Sequence, residues 1–190
     1  LGGSYDWVRS TSPGGTGSII TSPQTENTTG TYYYRPQYTS TVSGCNLADG
    51  AESTITVVSD PVWDAITVPE TEICEGGEIA FTTSIIGGLG GSYDWVRSTS
   101  PGGTGSIITS PQTENTTGTY YYRPQYTSTV SGCNLADGAE STITVVSDPV
   151  WDAITVPETE ICEGGEIAFT TSIIGGLGGS YDWVRSTSPG

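Results

Sequence analysis

Four cysteines carry the most distinctive chemistry in this sequence. They are Cys45, Cys74, Cys133 and Cys162. None of them belongs to a Cys-x-x-Cys pair and the chain contains no histidine, so their spacing does not predict a zinc site. Disulfide formation in an oxidising compartment is the chemistry that such cysteines favour. We therefore treat all four as candidate disulfide partners.

Carboxylates are the other abundant ionisable groups. The chain has 21 acidic residues against five basic ones, all arginine, and a net charge of −16. Because lysine and histidine are both absent, the commonest general base and Schiff-base chemistry are missing, and the sequence predicts no catalytic residue and no enzyme activity. The negative charge also disfavours nucleic acid as a partner. No apolar run approaches the roughly 20 residues that span a bilayer, so membrane insertion is not predicted.

Calcium is the one cofactor that the carboxylates leave open. Asp60 and Asp64 lie near a predicted domain joint, and Ca²⁺ takes about six to eight oxygen ligands. The sequence has no EF-hand or cadherin-like spacing. Asp60 and Asp64 therefore stay as the only metal candidates, and no other cofactor is predicted.

A repeat of 88 residues organises all of these positions. The stretch LGGSYDWVRSTSPG occurs three times at this period, and every residue between the copies also matches. Such a pattern is typical of an array that stacks one module. Because Pro61 stops a β-branched run, we place one complete domain at 61–148, the C-terminal part of a repeat at 1–60 and the N-terminal part of the next at 149–190. We expect the array to continue in both directions, since a partial repeat lacks part of its core.

Strand signals dominate the complete repeat. It is rich in Thr, Val, Ile, Tyr and Gly and shows no convincing helix. The predicted strands are 62–68, 78–85, 92–98, 105–109, 111–117 as a strand or loop, a segment from Thr119 that Pro124 interrupts, and 141–146. About seven short strands at intervals of roughly ten residues predict an all-β, Greek-key β-sandwich.

Aromatic side chains predict where the core of this sandwich lies. We expect Trp95 on the third strand, Tyr120 and Tyr122 on the sixth, and Phe81 on the second to form it. Trp63 follows the joint and is a candidate for contact with the preceding domain. Burial of Trp63 in its own core is the alternative.

Five motifs of the repeat carry a family resemblance. They are Ile-Cys-x-Gly-Gly-x-Ile-x-Phe at 73–81, Tyr-Asp-Trp at 93–95, Gly-Thr-Tyr-Tyr-Tyr at 118–122, Ser-Gly-Cys at 131–133 and Thr-Ile-Thr-Val-Val at 142–146. In this order they resemble the immunoglobulin-like repeats of giant surface proteins in Bacteroidota. Trp95 and the segment 118–122 stand where immunoglobulin-like domains place a core tryptophan and a tyrosine corner. The resemblance implies a very long, secreted or surface-attached protein that is exported by the type IX system and acts in adhesion, gliding or filament formation.

The pairing of the cysteines stays open between two arrangements. A bond between Cys74 and Cys133 within one domain would stabilise it by about 2–5 kcal/mol. In an immunoglobulin topology, however, these residues lie at opposite ends of the sandwich, about 20 Å apart for strands of six residues. A disulfide needs Cα atoms within about 7 Å. In the second arrangement, Cys74 pairs with the equivalent of Cys133 in the next domain or in a neighbouring molecule.

Two functions are compatible with these features. The first is structural: tandem domains form the shaft of an extracellular filament or long surface adhesin, in contact with other copies of the repeat along the chain and with lateral copies. A short linker that contains proline favours this function, because it holds neighbouring domains at a fixed angle. The alternative is a multivalent module that binds a glycan or a cell surface through loops at one end of each domain.

Overall fold

The computed structural model describes residues 3–188, and these residues form strands, turns and coil without a helix. The all-β prediction is therefore confirmed. It follows that the described residues contain no helix long and apolar enough to cross a membrane.

The chain divides into two compact units, and each is described by itself. Unit 1 contains residues 1–62, 85–90 and 128–135, whereas unit 2 contains residues 63–84, 91–127 and 136–190. Two short segments of the complete repeat, 85–90 and 128–135, thus belong to unit 1. The compact units therefore do not coincide with the predicted repeat boundaries.

Strands cover the described residues at the 88-residue period. They are β1 (Gly3–Ser10), β2 (Ser18–Ile20), β3 (Gly30–Ser40), β4 (Ser53–Val57), β5 (Val62–Trp63), β6 (Glu72–Cys74), β7 (Gly77–Ile79), β8 (Ile85–Ile86), β9 (Ser92–Ser98), β10 (Ser106–Ile108), β11 (Gln112–Glu114), β12 (Gly118–Thr127), β13 (Ser141–Val146), β14 (Val150–Trp151) and β15 (Ile173–Ile174).

The principal sheet of unit 1 has four antiparallel strands in the order β2-β1-β3-β4. Its register places Arg9 opposite Tyr34 and Tyr32 opposite Ile55. The same pattern returns in unit 2 with the order β10-β9-β12-β13-β6. Here β6 is added beside β13 as a parallel strand. Identical residues thus form the same antiparallel ladder in both units, and unit 2 carries one strand more.

The core of unit 2 lies between this five-stranded sheet and the two-stranded sheet of β7 and β11, an arrangement consistent with a β-sandwich. Phe81 packs with its ring centroid 4.9 Å from that of Trp95 and 4.7 Å from that of Tyr122. Tyr120 is buried in the same cluster. The alternation along β12 explains this, because residues two positions apart on a strand point to the same face.

The strand predicted at 78–85 is split in the structure. Ile79 and Phe81 are buried as the alternation requires, but the hydrogen-bonded partner changes along the segment. β11 pairs with β7, whereas Thr82 forms a bridge with Thr67 further along the chain. Between them, the Ser110 hydroxyl accepts a hydrogen bond from Phe81 N (2.9 Å) and donates one to Phe81 O (3.0 Å), and so replaces the missing ladder contacts.

The predicted interruption at Pro124 is wrong. β12 continues through Pro124, which lies opposite Trp95 of β9. The Pro124 carbonyl accepts a hydrogen bond from Gly138 N (2.8 Å), so this side of the residue faces away from β9. The pairing of β13 with β12 covers only Gly118–Tyr122, and a proline beyond it leaves no ladder hydrogen bond unmade.

Candidate functional site

A groove of about 550 Å³ runs along the outer side of β4 in unit 1. Its lining consists of Thr25, Glu26, Asn27, Thr29, residues 55–60, Leu89 and residues 130–133. In the part of the chain that the structure describes, β4 is the last strand of its sheet. The groove therefore exposes the edge of a sheet, whose backbone groups are available for pairing with another strand.

Exposure of Ile55 shows that this edge is uncovered. Ile55 on β4 is 50% exposed, whereas its equivalent Ile143 on β13 is 0% exposed. The two residues have identical sequence neighbours, so local propensity does not explain the difference. The difference comes from β6, which pairs with β13 and has no counterpart beside β4.

Residues 72–77 show what fills the equivalent groove in unit 2. β6 places Ile73 beside Val145 and Cys74 beside Val146. The segment then continues with a hydrogen bond from Glu75 N to Val146 O (2.9 Å). Together these contacts complete the sheet and close the core beneath it.

Two further hydrogen bonds fasten the turn that follows β6. Gly76 N donates to Glu114 O (2.7 Å), and Thr117 N donates to the side-chain Oε1 of Glu75 (3.2 Å). Glu26 and Thr29 are the equivalents of Glu114 and Thr117 in unit 1, and both line the open groove. The groove thus offers the same hydrogen-bonding groups as the filled site of unit 2.

The four candidate disulfide cysteines occupy different environments. All four lie among the described residues and carry free thiols. Cys133 is buried, 7% exposed, and lines the groove of unit 1, whereas its sequence equivalent Cys45 is exposed. Cys74 is half-buried on β6, and its equivalent Cys162 is exposed. Within the complete repeat, Cys74 belongs to unit 2 and Cys133 to unit 1.

A charged network crosses the core of unit 2. Arg97 of β9 donates two hydrogen bonds to Glu114 of β11, from Nε to Oε1 (2.5 Å) and from Nη2 to Oε2 (2.7 Å). Tyr122 of β12 donates to the same Oε1 (2.5 Å), and the guanidinium lies 4.0 Å from the centroid of the Tyr120 ring. Burial, aided by the hydrogen bond to Glu114, raises the pKa of Tyr122 well above its usual value. The network ties the two sheets together and contains a single carboxylate, so it does not form the paired acids of a glycosidase.

The sequence did not single out Glu114, although it is 3% exposed. It lies in a polar segment that was read as a strand or loop. The same contacts recur between Arg9 and Glu26 in unit 1, at 2.5 and 2.7 Å. There the Arg9 guanidinium lowers the pKa of the Glu26 carboxyl. The signal that points to this pair is the recurrence of an arginine in a strand together with an acid in the next polar segment.

The two calcium candidates belong to different units. Asp60 lines the groove of unit 1. Asp64, in unit 2, accepts hydrogen bonds from Ala65 N at Oδ1 (2.8 Å) and from the Ser84 hydroxyl at Oδ2 (2.9 Å). These bonds, that from Ala65 first, lower the pKa of Asp64. Residues 3–188 contain no group of three or more side chains placed to hold a metal ion.

Trp63 packs against its own repeat. Its ring meets Tyr93 edge-on, with the centroids 5.5 Å apart, and its Nε1 donates to Ala136 O (2.8 Å). These contacts follow the alternative in which the indole joins the core of its own domain. The ring remains half-buried, at the margin of the main cluster.

Comparison of the chain with protein-family models, with curated proteins and with solved structures finds no match.

Proposed function

We propose that this chain is a segment of the shaft of an extracellular filament or long surface adhesin. Tandem immunoglobulin-like Greek-key domains carry length and tensile strength in this shaft, and catalysis has no part in it. The observation that carries the proposal is that one ladder recurs at the repeat period with the same register. Trp7 lies opposite Pro36 in unit 1, just as Trp95 lies opposite Pro124 in unit 2. A module that folds the same way at each repeat suits a shaft of uniform mechanical units.

Two features of unit 2 support the immunoglobulin-like topology. The first is β6, which lies parallel to β13 at the edge of an otherwise antiparallel sheet. The second is Tyr120 near the start of β12, whose hydroxyl donates to Thr116 O four residues upstream (2.9 Å). A tyrosine that bonds back to the chain in this way is the tyrosine corner of immunoglobulin-like sandwiches.

The structure of the joint supports a shaft that bears load. Within unit 1, the segment 85–90 lies against the residues that follow β4, and Gly88 N donates a hydrogen bond to Ser59 O (3.0 Å). Gly88 has a φ of +71°, and a Cβ added there would lie 2.8 Å from the Cβ of Pro61. The linker is therefore held by close backbone packing and does not hang free.

Lateral association of several shafts is part of the proposal. Ile19 on β2 and Ile107 on β10 are both 66% exposed, and they are equivalent residues one period apart. An apolar side chain that recurs at the same exposed place in every repeat provides a row of contacts along the shaft. The excess of carboxylates keeps the remaining surface hydrated.

Electron microscopy of the protein isolated from its source tests the proposal. We expect unbranched fibres with an axial repeat of about 35–45 Å per 88-residue domain, from strands that rise about 3.3 Å per residue. Isolated globular particles at all concentrations would refute it. Specific retention of the chain on a glycan array would favour the alternative, a multivalent binding module.

A further inference from the structure

We propose that the groove of unit 1 binds residues 160–165 from a second copy of this chain, which add to β4 as a parallel strand. We further infer that a disulfide then joins Cys162 of the second copy to Cys133. This inference rests on the proposed function, since it names the contact by which successive copies of the repeat meet head to tail.

Sequence identity between the two segments identifies the occupant. Residues 160–165 read Glu-Ile-Cys-Glu-Gly-Gly, the same as residues 72–77. In unit 2, the segment 72–77 fills the equivalent groove with β6 and the turn that follows it. The receptor residues are also identical, so the two segments meet the same side chains and backbone groups.

Hydrogen-bonding groups in the groove match this segment. In unit 2, the strand and its turn bond to Thr144 N, Val146 O and Glu114 O. The equivalents of these residues are Thr56, Val58 and Glu26, and all three line the groove of unit 1. The inserted strand therefore pairs with backbone groups that are already at the surface.

The donor residues are exposed in the chain that would supply them. Residues 160–165 form coil and a turn, and Ile161 is exposed whereas its equivalent Ile73 is buried. Phe169 is 44% exposed against 4% for its equivalent Phe81. Burial of these side chains on a second copy removes apolar area from water, which favours association.

The register places the two thiols together. Cys74 lies beside Val146 in unit 2, so Cys162 of the second copy falls beside Val58. Cys133 lines the same groove and is buried there. Such proximity is what a disulfide requires, and it explains why Cys133 is buried whereas Cys45 is exposed. The arrangement corresponds to a bond between neighbouring repeats, the second of the two pairings that the sequence leaves open.

The oxidant for this bond is a small-molecule disulfide such as oxidised glutathione. One protein thiolate attacks a sulfur of glutathione disulfide, forms a mixed disulfide and releases one glutathione thiolate. The second protein thiolate attacks the protein sulfur of the mixed disulfide and releases the second glutathione. One S–S bond forms and one breaks, and the two protons of the protein thiols pass to the two glutathione thiolates.

Single-cysteine variants of the full chain test the pairing. The receiver, isotope-labelled, keeps only Cys133, the donor keeps only Cys162 and the control donor keeps only Cys45, with serine at the other cysteines. Mixed with oxidised glutathione, receiver and donor should form a cross-linked heterodimer at least about tenfold faster than receiver and control donor, because binding raises the effective thiol concentration. Non-reducing electrophoresis with mass spectrometry measures the rate. Equal rates for the two exposed cysteines would overturn the inference.

Two further measurements test the groove without the disulfide. Ile161→Asp in the donor places a charge where a buried isoleucine is required, so the cross-linking rate should fall to that of the control donor. A synthetic peptide of residues 158–166 with serine at 162 should protect the backbone amides of Thr29 and Thr56 from hydrogen exchange. An unchanged rate for the variant, or unprotected amides at saturating peptide, contradicts strand addition.

Failure of this inference is distinguishable from failure of the proposed function. Fibres with the expected axial repeat, combined with unprotected amides at Thr29 and Thr56, would reject the groove as the contact and retain the shaft. Cross-linked dimers and protected amides, combined with globular particles only, would retain the groove and reject the shaft.

Discussion

Replacement of one isoleucine by alanine at two equivalent positions tests whether β4 lacks a covering strand. Ile143 and Ile55 stand in the same sequence and on equivalent strands, but only Ile143 is enclosed. The same chemical change therefore probes two environments. We expect Ile143→Ala to lower the free energy of unfolding much more than Ile55→Ala does.

The expected difference follows from burial. Ile143→Ala removes three carbon atoms from a packed core, and at about 0.8 kcal/mol per buried carbon group the transfer cost is about 2.4 kcal/mol. The cavity that remains raises the loss to about 3–4 kcal/mol. At Ile55 half of the side chain is already in water and solvent fills the vacated space, so we expect a loss of about 1 kcal/mol.

Urea unfolding of the two variants, followed by circular dichroism and tryptophan fluorescence, measures these losses. The chain is kept dilute and reduced so that copies do not associate. With an m-value of about 2 kcal/mol/M, Ile143→Ala should lower the midpoint of its transition by about 1.5 M and Ile55→Ala by about 0.5 M. Equal shifts would refute the reasoning, because Ile55 would then be packed as tightly as Ile143.

Three further perturbations follow from the core network and the joint. Glu114→Gln should cost about 2 kcal/mol in thermal unfolding, because the partly exposed Arg97 loses its charged partner. Since burial raises the pKa of Tyr122, the neutral phenol contributes stability that is complete below its ordinary pKa of about 10 and is lost as the pH rises towards the folded value; alkaline denaturation should therefore depend less on pH in Tyr122→Phe. Gly88→Ala should cost about 2–3 kcal/mol in urea unfolding, because it combines a positive φ with a contact against Pro61.

Matched controls separate the cause in two of these experiments. Glu78→Gln removes an exposed carboxylate of β7 and should change stability by less than about 0.5 kcal/mol. Gly102→Ala meets the same backbone restriction, with a φ of +63°, but no atom lies within 4 Å of the added Cβ, so about 1 kcal/mol is expected. Losses at Glu114 and Gly88 that only equal those of their controls would contradict the roles given to the network and to the joint.

Much of the all-β architecture was predictable from the residue pattern. The strands at 92–98 and 141–146 have the predicted bounds, because alternating aromatic and β-branched residues between turn signals specify a strand locally. The segment 78–85 was harder, because its pattern is that of one strand while its hydrogen-bonding partners are three different segments. Partners that lie far away in sequence leave no local signal.

Glu114 and Pro124 show the same limit for single residues. A buried glutamate in a polar segment looks like a loop residue until Arg97 and Tyr122 are seen to enclose it. A proline in a strand is an interruption only if its nitrogen faces a ladder hydrogen bond, and the end of the neighbouring strand decides that.

The 88-residue period makes the contrast between local and tertiary control unusually clear. Equivalent residues have the same chain neighbours and hence the same local conformational preferences, so sequence alone dictates that both copies form the same strands. Whether a given copy is buried depends on which strand lies beside it, and identical sequence cannot encode that difference. Tertiary structure therefore decides that Ile143 and Cys133 are enclosed while Ile55 and Cys45 meet solvent, because burial belongs to the assembled sheet and not to the residue.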